Sequence, residues 1–308
     1  GVCPDFGPHH AAPPLAKPRS PWIAQFVNLS ILPVLTPFSP PQPRIVSLVP
    51  SLTELLFALG LGPWVVGRTG FCIHPAQGVA AVPKVGGTKD VNLRKLQALA
   101  PTHVLVNVDE NELPTVQALR AFVPRVLVTH PCAPEDNLGL IDQLEAEFAP
   151  ILIAASAAST LATNAKDLKN ALHQALQRLH AASPQRPPQR VLYLIWKDPW
   201  MAVAQDTYIS RMLALVGWHS LPAVQGGESG AARYPALDGA EPWLAQVDRV
   251  LLSSEPYRFD ASHITAAQAL CPQAQVQCVD GELLSWYGSR AVLGLQYLEE
   301  LAGHAPKT

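Results

Sequence analysis

The side chains best placed to do chemistry in this 308-residue chain are those that follow its apolar runs. Trp196 and Trp200 follow RVLYLI, Tyr257 follows RVLLS, and Trp286 and Tyr287 stand ahead of the last helical stretch. Phe71 lies in the loop Gly-Phe-Cys-Ile-His-Pro. Aromatics in loops are costly to leave in water unless they cover a ligand or one another. The set therefore points to a flat, mostly apolar ligand, with packing of the domain edges as the ordinary alternative. The carboxylates Glu110 and Glu255 close the runs THVLVNV and RVLLS, where a pair can act as general acid and base or simply bond loop backbone. His74, two residues beyond Cys72, sets a borderline donor beside a soft one, which suits a metal ligand. No G-x-S-x-G elbow, P-loop or strand-borne G-x-G-x-x-G is present, and nothing here demands turnover.

These residues need elements that hold them at one edge. Arg44–Val49 has the length and β-branched content of a buried strand, and it runs into Pro50-Ser51-Leu52-Thr53-Glu54. Ser51 and Glu54 have capping-box spacing, which predicts a helix start there, ended by Gly60, with free N–H groups facing the strand's loop end. Strands follow at 65–69, 102–108 and 125–129, and helices at 92–99, 114–122 and 134–148; Gly86 and Gly87 permit close backbone approach between them. After position 190 the pattern repeats, with strands at 190–196, 249–253 and 276–279 and helices at 206–216 and 289–302. Alternating strands and helices argue for mainly parallel sheets, whose ligands sit beyond the carboxyl ends of the strands.

Between the halves lies 154–182, in which Leu161, Leu168, Leu172, Leu176 and Leu179 form one apolar stripe. At 1.5 Å per residue such a helix is about 40 Å long, more than one small domain is wide. The fold class read from this pattern is α/β: two Rossmann-like lobes joined by a single long backbone helix, with a ligand cleft between them. The bounds are a Pro-rich arm at 1–43, a first lobe at 44–150, the linking helix at 151–185 and a second lobe at 186–308.

The chain is 48% hydrophobic and 15% charged, with a net charge of -2, which gives no reason to expect nucleic acid or an anionic membrane as partner. Its five cysteines form no C-x-x-C pair, although Cys271 and Cys278 are near enough in sequence for a local disulfide. Residues 17–38 faintly resemble a signal segment, but Gln25, Asn28 and Pro33 interrupt the run and no A-x-A site follows.

At RIVSLVPSLTELLFALG, GFCIHP, VPKVGGTKDVNLRKLQALAPTHVLVN and DGELLSWYGSRA the chain strongly resembles the periplasmic substrate-binding proteins with a helical backbone. These serve ABC importers for cobalamin, haem, siderophores and metals, and the cobalamin-binding-like branch, often called helical backbone metal receptors, is the nearest in pattern. The resemblance covers about 44–303. It implies two α/β lobes bridged by one helix, little domain closure, an extracytoplasmic location and a monomer that meets an importer permease. It places Pro50, Ser51, Phe71, Cys72, His74, Gly87 and Thr88 on the first-lobe side of the cleft. Trp196, Trp200, Glu255, Tyr257 and Trp286 stand on the second-lobe side. The implied ligand is cobalamin or a related corrinoid, held by aromatic contacts, with no cofactor required. The alternatives are a receptor for haem, a siderophore or a metal ion using His74 and Cys72, or a metal-dependent enzyme on the same fold. The family docks through an acid on each lobe. Glu241 matches the second, but Arg94 stands where the first is expected, leaving Asp90 as the substitute. A sensor or scaffold that contacts a partner through Arg94 and Lys95 is a third reading.

Overall fold

The computed structural model describes residues 42–303, so the Pro-rich arm and its signal-like segment lie outside the described residues, apart from the arm's last two positions. The first lobe runs β1 (Ile45–Ser47), α1 (Pro50–Ala58), β2 (Val65–Arg68), α2 (Ala76–Val79), α3 (Leu93–Ala98), β3 (His103–Asn107), α4 (Leu113–Leu119), β4 (Arg125–Thr129) and α5 (Asp136–Phe148). The linking helix is α6 (Ala155–Ala182). The second lobe runs β5 (Gln189–Leu194), β6 (Trp200–Met201), α7 (Tyr208–Ala214), β7 (Trp218–Ser220), β8 (Ala236–Leu237), β9 (Arg249–Ser253), α8 (Ile264–Leu270), β10 (Gln275–Val279), α9 (Gly281–Ser285) and α10 (Ala291–Gly303).

Each lobe carries one four-stranded parallel sheet, in the orders β2-β1-β3-β4 and β7-β5-β9-β10. Leaving aside the two-stranded antiparallel ribbon of β6 and β8, the two orders are the same, so β3 and β9 are counterparts. Successive strand residues face opposite sides of a sheet, and the core follows that period. Ile45, Leu105, Tyr193 and Leu251 belong to one apolar cluster shared by both lobes, in which α1, α5 and α10 bury their apolar faces and Leu161, Leu172, Leu176 and Leu179 of α6 are buried as well. Their neighbours Val46, Val104, Leu192 and Val250 face the outer layers. Each fully buried leucine of that stripe contributes about 2 kcal/mol of transfer free energy. The polar side of α6 is tied to both lobes: Lys169 to Asp142 of α5 at 2.6 Å and Arg178 to Glu299 of α10 at 3.4 Å.

Two expectations change. The capping box does not form: Val49 is the N-cap of α1 without a side-chain bond, Pro50 takes the first helical position, and Glu54 turns to Arg290 in the other lobe. A proline at that position has no N–H to satisfy, which lessens the need for a side-chain cap. Cys271 and Cys278 are both free thiols, the first buried and the second exposed. Five short pieces, α2, β7, the β6–β8 ribbon, α8 and α9, add to the elements read from the sequence.

Candidate functional site

The strand ends of the first lobe deliver one exposed aromatic on a rigid loop. Arg68, buried at the end of β2, donates from Nε to the Val79 carbonyl at 3.0 Å and from Nη1 to the carbonyls of Thr69 at 3.2 Å and Cys72 at 3.0 Å. This one guanidinium satisfies the loop's inward carbonyls, and the loop in turn holds Phe71 outward at 62% exposure. The turn below it needs glycine. Gly86 has φ +113°, where a Cβ would collide with the Asp90 carbonyl, and a Cβ on Gly87 would meet the Asp90 carboxylate and press on the Phe71 ring. Thr88 is half-buried, and its carbonyl accepts a 2.9 Å bond from Asn111 Nδ2, which also reaches the Leu48 carbonyl at 3.3 Å. Asn111 thus ties three strand-end loops together.

Cys72 points the other way. Its thiol lies 3.1 Å from Thr69 Oγ1 in the lobe interior, and burial pushes its pKa up, so it offers no donor beside His74. Pro50, half-buried, and Ser51, buried, form the start of α1.

In the second lobe the aromatics mostly pack on one another. Trp200 stacks on Phe259 with centroids 6.0 Å apart, Tyr257 lies 4.6 Å from Phe259, and the Tyr257 hydroxyl is 3.1 Å from His263 Nε2. Trp196 meets Tyr257 edge-on at 5.5 Å and remains 41% exposed. Trp286 is buried. Its indole N–H donates to Glu255 at 2.6 Å, its ring lies 4.8 Å from the Arg290 guanidinium, and His74 packs on its edge at 5.6 Å.

That last contact crosses between the lobes, and it has company. His74 Nε2 is 3.2 Å from Glu282. Arg290 grips both oxygens of Glu54 at 2.8 Å and reaches Glu282 at 2.9 Å. Tyr287 donates to Glu110 at 2.9 Å. Arg233, 1% exposed, sits 2.7 Å from Asp109 and 3.9 Å from Asp206. Asn137 accepts from the Gly288 N–H and donates to the Tyr208 hydroxyl at 3.1 Å.

The strand-end carboxylates occupy equivalent places after β3 and β9. Burial is the chief cause that pushes Glu110 up to about 7, with the charges of Glu255 and Asp109 adding and the Tyr287 bond opposing. Burial also raises Glu255, against the donors Ser285 at 3.0 Å and Trp286. Desolvation disfavours the charged form of an acid, so near neutrality Glu110 is partly protonated and able to donate. Among the described residues no three His, Cys, Asp or Glu side chains converge as a metal site. A hollow of about 530 Å³ lined by Gln189, Arg190, His219 and Asp248 lies at the amino ends of β5 and β7. It is remote from the strand-end loops.

The family model for periplasmic binding proteins matches residues 45–236, well over half of the chain. The chain belongs to the periplasmic binding protein family. A vitamin B12-binding protein of Photorhabdus laumondii is 28% identical over 128 residues, which span 40% of this chain and 46% of that relative, less than half of its length. The periplasmic vitamin B12-binding protein BtuF of Vibrio cholerae superposes with a TM-score of 0.66 at 20% identity, covering 86% of this chain and 100% of that one. The periplasmic heme-binding protein HutB of Vibrio cholerae gives 0.64 at 25% identity over 85% and 99%. The two-lobed fold with a long connecting helix is therefore the one these solved binding proteins share, and as a member of the periplasmic binding protein family the chain is a ligand-binding receptor rather than an enzyme. No helix among its described residues is long and apolar enough to cross a membrane.

Of the residues linked with docking, Asp90 is exposed, while the Glu241 carboxylate accepts the N–H groups of Asp238 at 2.9 Å and Gly239 at 3.0 Å. Sequence reasoning missed the ionic contacts between lobes. Arg233 lies in a Gly-rich loop, GGESGAARYP, with no periodic pattern around it, and Glu54 was absorbed into a capping box.

Proposed function

We propose that this periplasmic binding protein captures cobalamin or a related corrinoid between the strand-end loops of its lobes and hands it to an ABC importer permease outside the cytoplasm. The observation that carries the reading is the exposure of Phe71 and Trp196 on strand-end loops of opposite lobes, each held by a braced loop. Covering roughly 100 Å² of apolar surface on each ring contributes about 2.5 kcal/mol before binding costs. The charge pattern favours a neutral ring with amide arms over a carboxylated one. The two guanidiniums that form ion pairs between the lobes, Arg233 and Arg290, are each shared by two carboxylates. Partly protonated Glu110 adds a donor for an amide carbonyl.

Visible-absorption titration with cobalamin and then with haem tests this. Saturable one-to-one binding of cobalamin, tighter than haem, is expected. Tighter binding of haem would move the ligand to the porphyrins, and binding of neither at micromolar concentration would overturn the reading.

A further inference from the structure

We propose that the second lobe carries a site for a small oxyanion, a phosphate or sulfate group, in a polar hollow between α7 and β7. The hollow is about 330 Å³ and is lined by Ser210 and Arg211 of α7, by Trp218, His219 and Ser220 of β7, and by Gln205 and Gln225. β7 is the edge strand of its sheet and pairs with Gln189–Val191, the first half of β5. The hollow therefore lies on the flank of the lobe, whereas the Trp196 loop follows the far end of β5. The inference goes beyond the corrinoid reading and does not rest on it.

An orphaned hydroxyl marks the hollow. Ser220 is 1% exposed, and its Oγ has no hydrogen-bond partner among the described residues. Buried hydroxyls are nearly always paired, so a lone one bordering a polar hollow points to a partner from outside the chain. Gln205 does not supply that partner. Its Nε2 donates to the Ser220 carbonyl at 3.2 Å, and its Oε1 lies 3.5 Å from Gln225 Nε2. Ser210 on α7 is a second buried hydroxyl residue of the lining. A water molecule takes about 30 Å³, so the hollow has room for a tetrahedral oxyanion and some of its hydration.

The sign of the lining selects the ligand. No Asp or Glu lines the hollow. Asp206, next to Gln205 in sequence, is engaged elsewhere: its carboxylate accepts the Gly226 and Gly227 N–H groups at 2.8 Å and lies 3.9 Å from Arg233. Arg211 is exposed, and its hydrogen bond to the Cys132 carbonyl is long, at 3.5 Å. Among the described residues it faces no acid, whereas the exposed Arg178 and Arg190 each do. A guanidinium is a planar fork of donors that matches the oxygens of an oxyanion in pairs. The Ser210 and Ser220 hydroxyls and the exposed His219 ring add donors from the helix and the strand. A sugar needs strong acceptors for its hydroxyl protons, and no carboxylate is present to supply them.

The test is calorimetric titration of the full chain with inorganic phosphate and with glycerol phosphate, against acetate and chloride at matched ionic strength. Saturable one-to-one phosphate binding is expected. Arg211→Gln should weaken it at least tenfold by removing a charge-assisted pair, and Ser220→Ala about threefold by removing one hydrogen bond. Either phosphate arm supports the site, and the tighter of the two identifies the free ion or an ester as the source. Ser220→Ala deletes an unpartnered hydroxyl, so its urea midpoint should be unchanged or raised, which separates lost binding from lost folding. No saturable phosphate binding would overturn the inference and leave the hollow to water. Binding unchanged in both variants, or acetate bound more tightly than phosphate, would overturn it as well. Cobalamin affinity that falls in step with phosphate affinity in Arg211→Gln would overturn a site separate from the cleft.

Discussion

In the first lobe the crossover from β2 to β3 is fixed from within: Arg68 holds its loop by three carbonyls and Gly86 turns it beneath Phe71. The equivalent crossover of the second lobe, from β7 to β9, is held within its lobe by Asp206, which accepts the Gly226 and Gly227 N–H groups at 2.8 Å, and from outside as well. Its Arg233 leaves the lobe to pair with Asp109 at the end of the first-lobe sheet. The aromatics divide in the same way. Phe71 projects alone, whereas Trp200 and Tyr257, both half-buried, pack with buried Phe259, and Trp196 is the exposed member of the set. One lobe is thus a self-supporting platform, and the other is a platform that also clamps its neighbour.

Removing the clamp should have the largest effect. Arg233→Ala leaves Asp109 and Asp206 without their buried counter-charge, and loss of one partner of a buried ion pair costs about 3–5 kcal/mol. Urea unfolding should show it, with a larger loss than Arg68→Ala, whose partners are neutral carbonyls. A smaller effect for Arg233→Ala would mean that the lobes are held together chiefly by α6. Next, the two crossovers should respond differently to a methyl group. Gly86→Ala adds a backbone collision to its positive φ, for a loss of about 2–3 kcal/mol, whereas Gly227, φ +80° with open space around it, should lose only about 1 kcal/mol. Equal losses in the midpoints would erase the distinction.

The third effect concerns Glu110. The folded protein holds its proton more tightly than the unfolded chain, so its stabilising contribution is fully present below about pH 4.5 and is lost as the pH rises through about 7. Glu110→Gln keeps an acceptor for Tyr287 and removes the titration. Relative to the variant, the wild type should therefore lose on the order of 2 kcal/mol between pH 4.5 and pH 8. Glu255 shifts in the same direction, which is why the difference between wild type and variant, and not the wild-type slope, is the quantity to measure. Parallel pH profiles would show that Glu110 is no better hydrated in the unfolded chain.

The fold was legible because buried parallel strands are continuous apolar runs: RIVSLV, THVLVNV, RVLYLI and RVLLS need no partner to be recognised. The stripe of α6 was legible for the same reason, at helical period. β7 escaped because three residues, Trp218-His219-Ser220, carry no period, and they become a strand only by pairing with Gln189–Val191. The site was less legible because its decisive contacts are long-range. Ser51 and Glu54 have the spacing of a local cap, yet Glu54 bonds Arg290, 236 positions away. Nothing in the local sequence of Trp286 shows that Arg290, His74 and Glu255 surround it. Which of the loop aromatics keep a free face is a property of the packed lobes.

The central claim is that one ligand is held by aromatic faces from both lobes, and calorimetric titration of cobalamin into the wild type, Phe71→Ala, Trp196→Ala and the double variant tests it most directly. Each single change should weaken binding about tenfold or more, consistent with about 1.5–2.5 kcal/mol of lost ring burial, and the double variant should bind weakest. Full wild-type affinity in either single variant would contradict a site shared between the lobes.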